Sequence, residues 1–237
     1  ADPAQFDRTG DPLTPAKFND RARSWVYEVS GKIVLANNTD KLRVPYHALV
    51  RAAATKHTTV AQIGLPARNL VSLELSLAGG SAHPQPLVSV FELAGVSPRN
   101  NLLADPADIS ADLLAFGVAS DYPQAGSVAE TTIYFAIANA GPWTNPHSFL
   151  FDPHLQIDTD FDGWIDHELA SCSNGGFIKD DLSVSDYADD VFLSILIRVP
   201  RGERGIADAG YLNVFPPDEF DTVPFNNSVM VLPVPAR

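Results

Sequence analysis

A single cysteine, Cys172, occurs among 237 residues, so no intrachain disulfide forms and the fold stands on its core, on bound metal or on both. Basic residues are also few. Sixteen Lys+Arg against 29 Asp+Glu give a net charge of −13, which repels phosphate backbones and anionic lipid and attracts cations. Nucleic acid is therefore not an expected partner. No run approaches the roughly 20 apolar residues that a membrane helix requires, and membrane insertion is not expected. The chain opens Ala1-Asp2-Pro3 with no basic and apolar leader, which reads as a mature or excised piece. One cysteine suits both a cytosolic protein and a secreted protein that avoids thiols.

Catalytic signatures are missing as well. The six histidines, His47, His57, His83, His147, His154 and His167, fall in no H-E-x-x-H or H-x-E pattern. Ser81 follows Gly79-Gly80 but lacks the closing glycine of a nucleophile elbow. Neither G-x-x-x-x-G-K-[ST] nor a G-x-G-x-x-G after a strand occurs. Cys172 has no histidine within four residues of it, so a packed thiol is expected rather than a nucleophile. The chain is not expected to be an enzyme by itself.

What is present is strand chemistry. With 45% apolar residues the chain can bury a sizeable core, and its apolar period is close to two, as in Val71, Leu73, Leu75 and Leu77 with Ser72, Glu74 and Ser76 between. Similar runs fall at about 24–36, 42–50, 87–94, 112–120, 130–139, 147–158, 163–171, 191–199, 211–215 and 228–234. Nineteen prolines and fifteen glycines punctuate the gaps, and no capped 3.6-residue stripe is evident. The expected fold class is all-β, with antiparallel β-sandwiches of fibronectin-III or jelly-roll type and very little helix. The polar stretch 52–61 is expected to link a partial segment, 1–51, to a sandwich domain, 62–237.

The sharpest local signal is Asp158-Thr159-Asp160-Phe161-Asp162-Gly163-Trp164-Ile165-Asp166-His167-Glu168. Carboxylates stand at loop positions 1, 3, 5 and 9, with glycine at 6. Oxygens at alternate residues wrap a hard cation, and the position-7 carbonyl, here of Trp164, adds another. Calcium is the expected cofactor. The expected ligands are Asp158, Asp160, Asp162, Trp164, Asp166 and Glu168. The loop departs from an EF-hand because position 12 is Leu169 and because both flanks read as strand. Glu168, or an acid from elsewhere, then supplies the bidentate ligand. A second acidic run, Asp180-Asp181 with Asp186, Asp189 and Asp190, is expected to be a solvated loop or a further donor. Trp25, Trp143 and Trp164 are read first as core, with Trp143 and Trp164 as the alternative platform for a ligand. Two sequons, at Asn37 and Asn226, matter only where glycosylation occurs.

Four stretches carry a resemblance: Leu42-Arg43-Val44-Pro45-Tyr46-His47-Ala48-Leu49-Val50-Arg51; Thr132–Ala138 with Gly141-Pro142-Trp143-Thr144; the loop Ile157–Asp166; and Phe225–Val234. In this order they resemble the C-terminal, non-catalytic region of large secreted subtilisin-like serine peptidases of bacteria. The H-G-T-H and G-T-S-M segments that carry that family's triad are absent here. The resemblance implies that 1–51 ends a fibronectin-III-like domain and that a calcium-loop sandwich follows. It also implies secretion or attachment to the cell envelope, with other domains of a parent protease as partners. An adhesin-like module that binds protein or glycan is the competing expectation.

Overall fold

A computed structural model describes residues 8–9, 17–18, 21–22, 26–50, 57–59, 75–80, 89–146, 151–173, 192–199, 205–215, 220–221 and 227–237. The chain divides into two compact units. One comprises Ala1–Gly10 with Trp25–Ser89, the other Asp11–Ser24 with Val90–Arg237. Within the stretch 52–61, expected as a linker, the described residues His57–Thr58 pair with Leu77–Ala78. The second acidic run and residues 71–74 lie outside the described residues.

The first unit is built on a long antiparallel hairpin, β1 (Val26–Ala36) and β2 (Lys41–Val50), in register from Tyr27↔Val50 to Ala36↔Lys41. Asn37 makes its turn by accepting the N–H groups of Thr39 (2.8 Å) and Asp40 (2.6 Å) on Oδ1, the local bonding that favours asparagine in tight turns. Ile33, Val34, Leu35, Leu42 and Val44 are all exposed.

The second unit is an antiparallel β-sandwich. Its longer strands among the described residues are β3 (Glu92–Val96), β4 (Leu113–Ser120), β5 (Thr132–Trp143), β6 (His154–Ile157), β7 (His167–Ser173), β8 (Phe192–Arg198), β9 (Gly205–Tyr211) and β10 (Asn227–Pro235). They form two four-stranded sheets, ordered β10-β5-β4-β3 and β6-β7-β8-β9. Period-two alternation assigns the inner faces. Ile137, Met230, Leu232 and Val234 from one sheet pack against Leu169, Phe192 and Leu196 from the other. Among the described residues helix is confined to short pieces. In α1 (Pro106–Ala111), Asp105 caps the N-terminus by accepting the Ala107 N–H (2.8 Å), and proline takes the first turn. Helix α2 (Tyr122–Ala125) is a single turn closed by Gly126 at φ 75°. No helix among the described residues is long and apolar enough to cross a membrane.

The outer faces are covered too. Tyr134, Ala136 and Val231 form one outer cluster with Phe91, and a Cβ at Gly117 would stand 2.9 Å from the Phe91 Cβ, so glycine there lets Phe91 lie flat on the sheet. Leu193 and Ile195 form another with Cys172. Burial raises the Cys172 thiol pKa above its ordinary range, which suits packing better than nucleophilic work.

One long edge of the sandwich is pinned. Asn213, fully buried and left-handed at φ 58°, follows β9 and clasps β10 of the other sheet. Its N–H donates to the Val231 carbonyl (2.9 Å), and its Oδ1 accepts the Val231 N–H (2.7 Å). Asparagine tolerates this backbone region better than most residues. Ser194 adds a second tie between sheets through Oγ to the Pro233 carbonyl (2.9 Å).

Leu232 is fully buried between the sheets whereas Leu102 is 92% exposed. Leu232→Ala is therefore expected to cost about 2–5 kcal/mol in denaturant unfolding, and Leu102→Ala no more than about 0.5 kcal/mol. Equal losses at the two positions would contradict the placement of the core.

Candidate functional site

The connection from β6 to β7 is the aspartate-rich loop. Its ends are set by the pairing of the two strands, which runs from His154↔Ala170 to Ile157↔His167. The Asp166 N–H donates to the Ile157 carbonyl (2.9 Å), closing the loop at its base, and the Val199 N–H donates to the Asp166 carbonyl (2.7 Å).

Inside the loop the backbone is wrapped around its own carboxylates. Asp158 accepts the Phe161 N–H on Oδ1 (2.7 Å) and the Gly163 N–H on Oδ2 (2.9 Å). Asp160 Oδ1 accepts the Asp162 N–H (3.2 Å), and Asp162 Oδ1 accepts the Trp164 N–H (2.8 Å). Asp166 Oδ2 receives the Thr159 N–H (2.8 Å) and the Thr159 hydroxyl. Gly163 turns at φ 86°, as its loop position requires, and Phe161 adopts φ 61°, a conformation that costs a non-glycine residue energy.

The wrapping brings Asp158, Asp160 and Asp166 together, each offering a carboxylate oxygen within 4.8 Å of the others. Oxygens about 2.3–2.6 Å from a shared calcium ion lie at most about 5 Å apart, so this spacing fits a hard divalent cation. Three of the six expected ligands therefore converge. The Asp162 carboxylate instead accepts the Trp164 N–H. Glu168 is engaged on another face. Leu169 faces the core with no exposure, so strand alternation sends its neighbour Glu168 outward, where it meets His154 Nδ1 across the β6–β7 pair.

His154 is held from both sides, since its Nε2 lies 3.0 Å from Asp152 Oδ2 while Nδ1 meets Glu168. With a carboxylate at each ring nitrogen, the doubly protonated ring is favoured. Asp152 is the main cause of a raised His154 pKa, with Glu168 adding to it against partial desolvation.

The aromatic residues part company. Trp143 is 2% exposed and stacks on Phe151, with ring centroids 4.9 Å apart, so it belongs to the core. Trp164 is 63% exposed and Phe161 is 92% exposed. Phe161 escaped the sequence reading because an aromatic inside an acidic loop carries no periodic signal. No protein-family model, curated protein or solved structure matches the chain.

The His154 arrangement predicts its titration. The ring is expected to titrate above the ordinary value of about 6.5, and Asp152→Asn should lower its pKa more than Glu168→Gln does, as followed by NMR of the ring protons. A pKa raised by folding adds stability below the unfolded value, and that contribution is lost as pH rises through the folded pKa. His154→Gln should accordingly flatten this part of the stability profile. A His154 that titrates at or below the free value would contradict the arrangement.

Proposed function

We propose that the chain is a non-catalytic accessory β-sandwich region of a secreted subtilisin-like serine protease, stabilised by calcium and serving stability, spacing or surface presentation. The observation that carries this reading is the convergence of Asp158, Asp160 and Asp166 on one strand connection. Carboxylates held this close repel one another, and a divalent cation removes that cost. With one cysteine in the chain, an ion that binds only the folded form supplies stability that disulfides supply elsewhere. Calcium would be held by those three side chains, with carbonyl and water oxygens completing its shell. The four stretches quoted above support the protease context. The exposed apolar side chains of the β1–β2 hairpin suit strands that belong to a larger sheet, as expected of the end of a fibronectin-III-like domain.

A calcium titration of thermal unfolding tests the reading. Calcium at a hundredfold excess over its Kd is expected to add ~2.7 kcal/mol, an increment that chelator removes. Asp160→Asn is the cleanest variant. Asp160 is exposed and accepts one long backbone bond, whereas Asp158 also organises the loop. D160N should lose most of the calcium response, while Glu168→Gln keeps it. A midpoint indifferent to calcium in the unmodified chain would defeat the proposal.

Exposed Phe161 and Trp164 beside the same loop favour a second reading, an extracellular module that binds protein or glycan with the ion ordering its loop. Aromatic faces of this kind stack on sugar rings or apolar side chains. On that reading a glycan array probed in millimolar calcium shows hits that Trp164→Ala abolishes, and an array without hits counts against it.

A further inference from the structure

Opposite the edge pinned by Asn213, the sandwich parts around a cavity of about 770 Å³. It lies between β4 and β5 of one sheet and the segment Phe151–Asp158 of the other. It opens to solvent, and its size lies within the roughly 300–1,000 Å³ of ligand pockets. The walls are apolar. Phe116 and Phe135 stack with centroids 5.9 Å apart, and Ile137, Leu155 and Ile157 continue the lining.

Two features give the cavity a direction. Asn139 is 5% exposed and lines it. Its Nδ2 donates to the Ser110 carbonyl (2.7 Å) at the end of α1, while its Oδ1 has no hydrogen-bond partner among the described residues. A buried acceptor left in this state costs free energy that a donor recovers. At the other extreme, Asp152, His154 and Gln156 line the cavity from solvent-exposed positions, with Asp158 half-buried beside them. The charged groups here are two carboxylates and His154, which already pairs with Asp152 and Glu168. No Lys or Arg occurs among the described lining residues, so two carboxylates against one protonated His154 leave the rim net negative, which favours a cation.

We propose that this cavity binds a small amphipathic cation. Its flat or extended apolar body lies between Phe116, Phe135 and Leu155, a hydrogen-bond donor on that body reaches Asn139 Oδ1, and its ammonium head stays at the rim beside Asp152 and Asp158. The proposal does not rest on calcium binding, and because Asp158 also belongs to the proposed ion site its test is run in chelator.

The probe is dansylcadaverine, which combines a naphthyl body, a sulfonamide N–H and a primary ammonium. Saturable one-to-one binding is expected in a fluorescence titration of the whole chain. N-acetyl dansylcadaverine, which lacks the charge, and Asp152→Asn should each bind about threefold more weakly, the scale of a partly exposed ion pair. Leu155→Trp fills the space and should weaken binding tenfold or more, about 1.4 kcal/mol. Methyl NMR of the unmodified chain decides the matter even if that variant fails to fold, with probe-induced shifts expected at Leu113, Ile137, Leu155 and Ile157 and none at Leu102. Absence of saturable binding, shifts away from those methyls, or a folded Leu155→Trp that binds undiminished would overturn the site. Equal affinity for the acetylated probe would overturn its assignment to cations.

Discussion

Burial of Leu169 is the constraint on which both architecture and site depend. It pairs with Leu155 on one side and Leu196 on the other, and its side chain is wholly enclosed between the sheets. A slip of one residue in β7 would turn Leu169 to the outside and drive Glu168 into the core, at a cost of several kcal/mol for an unpaired buried charge. The register is therefore held from both neighbouring strands. With it is held the span from Ile157 to His167, and so the place at which each aspartate enters the loop.

Within that span, electrostatics and hydrogen bonding pull in opposite directions. Like charges on Asp158, Asp160 and Asp166 favour an open loop, while the N–H groups of Thr159, Phe161 and Gly163 reward a closed one. Hydrogen bonds to ionised acceptors are worth about 1.5–3 kcal/mol each, which exceeds the roughly 1 kcal/mol scale of repulsion between solvated charges at 4 Å. The closed form is therefore held by these bonds against a residual repulsion that a cation would remove. It includes the left-handed Phe161 at φ 61°, whose strain the surrounding bonds outweigh. An ion entering such a loop meets donors already in position and loses little to ordering them.

Much of the fold was legible because each strand carries its own period. The alternation in Thr132–Ala138 places Ile133, Phe135 and Ile137 on one face, and the structure packs those three into the inter-sheet core. Strand β9 shows only at its C-terminal end in the apolar pattern, since Gly205-Ile206-Ala207-Asp208-Ala209-Gly210-Tyr211 is short of large apolar residues. Helix α1, at six residues, is too brief for a 3.6-residue stripe and shows only through Asp105-Pro106. In the loop, spacing alone pointed to its carboxylates. Spacing did not reveal that Glu168, two residues past Asp166, lies on the far side of β7 with His154, because that depends on where strand pairing resumes. Asn139 and the cavity were invisible for a related reason: a gap between sheets is a property of two distant strands and leaves no mark on either one.

Strand β6 shows how closely these features are joined. Four residues long, it gives its inner face, through Leu155 and Ile157, to the cavity and its outer face, through His154, to the pair with Glu168. Its last residue leads directly into Asp158, which both gathers the loop and lines the cavity. An edge strand has a partner on one side alone and opens at lower free-energy cost than strands inside a sheet. One four-residue strand therefore carries the base of the aspartate loop, one wall of the cavity and the histidine pair, so a slip in its register would displace all three.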